Sequence, residues 1–249
     1  MLQIALLLFV LAAMAWWAYL ERRAYQAFRL LEDSAKRRAF YWQWTWIPFV
    51  VFGLGGLALL SLTGSFEALW QTPTEFDALR PSLKAPETVD TKSADYLIGV
   101  LIGAGVAVSG AIFLWARRIH KMTTLVVGDI EPLIPRNGAE IASAVPMALN
   151  AGVTEEVFFR LALPLLAAQA TGSALAGFAI ACVAFALMHW YQGWKGMLAV
   201  FAVGVWLTWV YLATGSLLKP ILAHILIDLV AVVVRPAITL GLRRRAAAA

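Results

Sequence analysis

Ionisable side chains are costly inside long apolar stretches, and those found there are natural candidates for chemistry. In this chain they are Glu155, Glu156 and Arg160, then His189, then His224, Asp228 and Arg235, all within the last 100 residues. In Thr154-Glu155-Glu156-Val157-Phe158-Phe159-Arg160 the adjacent carboxylates diverge by about 100° around a helix, whereas Glu156 and Arg160, four apart, share a face. That spacing gives two duties. Arg160 can neutralise Glu156, leaving Glu155 to project elsewhere as a base that takes a proton from water. The bland alternative is an inert buried ion network of all three. Phe185 and His189 stand four apart, as do His224 and Asp228, so each pair lies on one helical face and can line a shared cavity. Taken singly, His189 reads equally as an interfacial histidine and His224 as a packing partner of Asp228. His120 sits in a basic loop, where a solvated role is expected. Pro164 removes the backbone bond to the Arg160 carbonyl, which predicts a bend beside these residues.

The elements that must hold these groups are apolar and long. Of 249 residues 61% are hydrophobic and 14% charged, and the mean hydropathy is +0.76, a balance that makes lipid the solvent. Runs long enough to cross about 30 Å of hydrocarbon are expected at about 2–20, 41–62, 95–116, 140–170, 173–191, 196–213 and 217–240. The expected fold is thus an all-α, polytopic transmembrane bundle of about seven spans. Between 63 and 94, Pro73, Pro81 and Pro86 with Glu67, Glu75, Asp77, Glu87 and Asp90 predict a long aqueous loop with room for a short helix. Gly99, Gly103, Ala107 and Ala111 repeat every four residues, a smooth face for close helix packing.

Net charge is +5, yet the basic residues cluster beside apolar runs instead of along one face, which argues for topology and against nucleic acid. Assigned to alternate loops, 14 Lys and Arg fall on one side and 4 on the other. The basic side is retained in the cytoplasm, so the N-terminus is expected outside and the C-terminus inside. Trp16, Trp17, Trp42, Trp44, Trp46 and Trp115 fall near the inner span ends, as amphipathic indoles do. Cys182 is the single cysteine, so there is no intrachain disulfide and no thiolate metal cluster. The first run has no basic residues ahead of it and Arg22 and Arg23 after it, the pattern of a retained helix.

Glu-Glu-x-x-x-Arg, then Phe-x-x-x-His, then His-x-x-x-Asp, in that order on three helices, resembles the CAAX protease and bacteriocin-processing family of intramembrane proteases, the type II CAAX prenyl endopeptidases among them. The likeness covers roughly Gly152 to Val233. It implies a glutamic endopeptidase in which Glu155 and His189 activate water and His224 and Asp228 support the oxyanion or orient the site, with Glu156, Arg160 and Phe185 in support. Asn is common in the family where Asp228 stands, which puts a direct donor role for Asp228 in doubt. The family was long described as zinc-dependent; the metal-free reading is favoured here, with Zn as the alternative cofactor, because no His-Glu-x-x-His helix is present. Serine and aspartyl intramembrane enzymes fit less well: Ala107-Val108-Ser109-Gly110 lacks a paired histidine, and Val126-Val127-Gly128-Asp129 lacks the first glycine of Gly-x-Gly-Asp. The expected organisation is an accessory membrane region at 1–137 and a catalytic bundle at 138–241. Expected partners are the lipid bilayer and a membrane protein or peptide substrate, in the bacterial inner membrane. Two rivals are a non-catalytic bacteriocin-immunity or scaffold protein of the same family, and a small-solute transporter, against which the lack of an inverted repeat speaks.

Overall fold

The computed structural model describes residues 1–80 and 127–248. The expected span at 95–116 with its stripe from Gly99 to Ala111, the loop residues 81–94, Ser109, Trp115 and His120 lie outside the described residues. Among the described residues the chain is helical, with no strand. The main elements are α1 (Leu2–Phe28), α2 (Ser34–Leu62), α3 (138–171), α4 (Ala174–Met188), α5 (Gly193–Thr214) and α6 (218–248). Four stretches are long and apolar enough to cross a membrane: Leu2–Phe28, Ser34–Leu62, Trp190–Thr214 and Leu218–Gly241. The chain is an integral membrane protein by that measure.

α3, which carries Glu140, Glu155, Glu156 and Arg160, is the central helix. From Phe158 to Ala168 every residue is buried, the signature of a helix enclosed on all sides. α1 and α4 pack on its second half, and α2 and α6 on its first. Two glycines permit the closest approaches. A β-carbon on Gly152 would stand 2.5 Å from Ile225 Cγ1 and 2.8 Å from the Ile225 backbone nitrogen, and one on Gly177 would stand 2.4 Å from the Pro164 carbonyl oxygen. Gly152 therefore sets how near α6 comes to α3, and Gly177 how near α4 comes.

Three helices widen locally into π-helical turns, at Phe49–Leu54 in α2, Val157–Ala162 in α3 and Val230–Val234 in α6. The second and third lie just ahead of Pro164 and Pro236, and the first follows Pro48. A proline cannot donate to the carbonyl four residues back, and an extra residue in the turn absorbs that mismatch. Ahead of Pro164, where a bend is expected, the backbone forms such a π-helical turn.

The sequence boundaries need correcting at the first two helices. α1 continues eight residues beyond 20, and α2 starts at Ser34 instead of 41. Hydropathy marks the apolar stretch, whereas Glu21, Arg22, Arg23, Lys36 and Arg37 are helix formers that carry the backbone further. Asp33 caps α2, its side chain accepting from the Lys36 amide at 2.8 Å. The loop after α2 is also less aqueous than expected in its described part. Phe76 is fully buried against Phe178 and Tyr211, and Thr72 donates to the Gly215 carbonyl at 3.1 Å.

Arg37, one of the 14 basic residues counted on the cytoplasmic side, is fully buried. Its Nε donates to Glu140 at 3.0 Å and its Nη2 to Tyr41 Oη and to the Pro132 and Ile134 carbonyls. Glu140 also accepts from the Arg136 amide and from Asn137 Nδ2, while Asn137 caps α3 through the Glu140 amide. A buried ion pair thus ties α2 to the start of α3.

Candidate active site

A cavity of about 150 Å³ lies between α1, α2, α3 and α6 and the α4–α5 junction. That is room for several water molecules. Glu155, His189, His224 and Asp228 all line it. Residues far apart in sequence, on three helices, meet there because α3 crosses α6 closely at Gly152 and because α4 ends at His189. All three π-helical turns reach this wall, through Phe52, Phe159, and Ala231 with Val232.

Glu155 and Glu156 diverge as the helical spacing requires. Glu155 faces the cavity, and its Oε2 is buried with no hydrogen-bond partner. Glu156 is fully buried on the other side of the helix, where Oε2 stands 3.1 Å from Arg160 Nε, an ion pair whose angle departs from that of a hydrogen bond. The Arg160 guanidinium lies over the Phe185 ring, 4.5 Å from its centroid. Gly204 of α5 leaves the space that ring occupies, since a β-carbon there would be 3.0 Å from Phe185 Cδ1.

His224 is held more firmly by Glu156 than by its helical neighbour. Its Nδ1 is 2.7 Å from Glu156 Oε1, whereas Nε2 is 3.6 Å from Asp228 Oδ2, too long for a hydrogen bond. Facing a carboxylate, Nδ1 of His224 donates to Glu156. His189 closes α4 with non-helical backbone, and its Nδ1 is 2.8 Å from the Phe185 carbonyl oxygen. A carbonyl only accepts, so Nδ1 donates and Nε2 keeps the lone pair. The Phe185 ring packs edge-on against His189 at 4.9 Å and fixes it from the side.

Among the described residues no group of three His, Cys, Asp or Glu side chains is placed to hold a metal ion.

Residues 137–230 match the Rce1-like family, type II CAAX prenyl endopeptidase. No curated protein and no solved structure matches the chain significantly. The Rce1-like region starts at Asn137, the cap of α3, and ends two residues after Asp228, so it contains Glu155, Glu156, Arg160, Phe185, His189, His224 and Asp228. That family is one of membrane proteases. Arg235 does not line the cavity.

Part of the wall comes from outside the Rce1-like region and was not foreseen. Glu21 of α1 and Trp44, Pro48 and Phe52 of α2 line the same cavity, with Tyr191 beside them. Trp44 was expected at the headgroup boundary; it instead stacks in a cluster with Tyr25, Phe40 and Tyr191. Glu21 was excluded from the intramembrane charges only because α1 was taken to end at 20.

Proposed function

We propose that the chain is an intramembrane endopeptidase of the glutamic type, which hydrolyses a peptide bond of a membrane-associated protein or peptide. The observation that carries this reading is the convergence of Glu155, whose Oε2 is buried without a hydrogen-bond partner, with the imidazoles of His189 and His224 on one cavity. Glu155 takes a proton from a water molecule as that water attacks the peptide carbonyl, and the Nε2 lone pair of His189 accepts a hydrogen bond that orients the water. The developing oxyanion is met by the Nε2–H of His224, which the 3.6 Å gap to Asp228 leaves available. Collapse of the tetrahedral species breaks the C–N bond, and the proton held by Glu155 passes to the leaving amine. Glu156 and Arg160 act one layer back: Glu156 fixes His224, and Arg160 neutralises Glu156. Phe185 holds the His189 ring, and Asp228 orients His224.

This mechanism is metal-free. The proposed topology has seven spans in all, with the N-terminus outside and the C-terminus cytoplasmic in a bacterial inner membrane. In that orientation His189 and the cavity lie in the cytoplasmic half of the bundle. The region at 1–137 is the accessory unit and 138–241 the catalytic one.

The test is cleavage of a panel of membrane-peptide reporters by purified protein, wild type against His189→Ala, with and without a zinc chelator. Chelator-indifferent cleavage that His189→Ala abolishes is expected. Stoichiometric zinc lost together with activity overturns the metal-free mechanism. A folded wild type that cleaves no reporter transfers the chain to the immunity or scaffold reading.

A further inference from the structure

The wall of the cavity facing the Rce1-like region carries a second carboxylate, Glu21, which the mechanism above does not use. It sits in the last two turns of α1, on the side that faces Tyr191 and the α2 aromatics. Among the described residues no Lys or Arg lines the cavity and no cation pairs with Glu21; its neighbour Arg22 turns away, its guanidinium 4.3 Å from the Trp190 ring centroid.

The charges around the cavity do not balance. Arg160 lies against Glu156, and among the described residues no Lys or Arg is paired with Glu155 or Glu21. Beside Glu21, Trp44 and Tyr191 line the cavity with ring centroids 5.0 Å apart and planes at 60°. Tyr25 backs both, its ring 5.0 Å from Tyr191 and 6.0 Å from Trp44. Aromatic rings next to a carboxylate are what an organic cation seeks: ring faces attract it and the carboxylate supplies the formal charge. An anionic ligand is repelled by Glu21, and an apolar one gains nothing from it and must desolvate it.

We infer that Glu21, Trp44 and Tyr191 form a cation subsite that takes a lysine or arginine side chain of the substrate next to the bond that is cut. The inference rests on the protease reading for the words "bond that is cut", but the binding it describes is separable from cleavage. The subsite is built by α1, α2 and the α4–α5 junction, so substrate choice is supplied largely by the part of the chain outside the Rce1-like region.

The experiment uses the full chain in lipid nanodiscs with two fluorescent single-span peptides that differ in one residue, Lys or Met, beside the reporter bond. Binding is read by anisotropy on a Glu155→Ala background, where no cleavage interferes, and kcat and KM are read on the otherwise wild-type chain. The Lys peptide is expected to bind about tenfold more tightly than the Met peptide, the order of one charge-assisted contact. Glu21→Gln brings that ratio close to one, and Glu21→Asp, which keeps the charge, retains most of it. In cleavage, the Glu21→Gln effect falls on KM for the Lys peptide. Equal binding of both peptides, or a Lys preference that survives Glu21→Gln in protein with an unchanged unfolding midpoint, overturns the inference. A loss of kcat on both peptides alike also overturns it and gives Glu21 a part in the chemistry. Absence of any cleavage with the binding ratio intact overturns the protease reading and leaves the subsite standing.

Discussion

Replacing Arg37 by Met should be among the most damaging changes outside the cavity, and the structure says by how much. The substitution keeps the length of the aliphatic stem and removes the guanidinium. Glu140 then stays buried as a carboxylate with two neutral donors, the Arg136 amide and Asn137 Nδ2, but no cation. Removing one partner of a buried pair costs about 3–5 kcal/mol. The Pro132 and Ile134 carbonyls also lose their donor, at about 1 kcal/mol each where water cannot replace it. Because the two remaining donors soften the first cost, about 4 kcal/mol in all is expected. Reversible unfolding in mixed micelles, followed by tryptophan fluorescence, measures it. Adding Glu140→Gln to Arg37→Met removes the orphaned charge and should restore about 2 kcal/mol. A loss under about 1 kcal/mol for Arg37→Met, or a double variant less stable than the single one, would refute the account of that pair.

Gly152→Ala puts a methyl 2.8 Å from the Ile225 backbone nitrogen, which no side-chain movement relieves, so α6 must shift and carry His224 and Asp228 with it. Activity should fall at least about hundredfold, with about 1–3 kcal/mol of stability, measured as kcat/KM and unfolding midpoint. Asp228→Asn keeps an acceptor facing His224 and should retain activity within about tenfold, whereas Asp228→Ala should lose more, both in the reporter assay. Glu156→Gln leaves Arg160 buried without its carboxylate and loosens His224; a fall of about 3 kcal/mol in stability together with lost kcat is expected. For topology, single cysteines placed at Gly138 and Gly172, in a Cys182→Ser background, should label from opposite sides of sealed vesicles.

The pairing pattern around Glu155 was readable because helical geometry is local: adjacent carboxylates must diverge, and Glu156 must share a face with Arg160. Which partner wins across helices was not readable. Spacing pairs His224 with Asp228, yet Glu156, 68 residues away, is the closer carboxylate, because Gly152 lets α6 approach α3. Glu21 and Arg37 were missed for a different reason. Hydropathy ends a helix where polarity begins, so both fall outside the apolar runs although each continues a helix that turns it inward. The Asn137-to-Glu140 spacing was the available signal for the buried pair, since it marks a capped helix start with an acid at its third position. Trp44 is the corresponding case among aromatics: an indole near a span end fits the headgroup boundary, and only the neighbouring Tyr25 and Tyr191 rings show that this one points inward.

The central claim is that Glu155 is the base that activates water in this cavity. Its most direct test is kcat/KM of the purified, nanodisc-embedded chain against its Glu155→Gln variant on a reporter that the wild type cleaves. Glutamine keeps the size and cannot take the proton, so a loss of about 10²–10⁴-fold is predicted, with the unfolding midpoint unchanged within a few degrees. A Glu155→Gln variant that cleaves within about threefold of the wild type would contradict it.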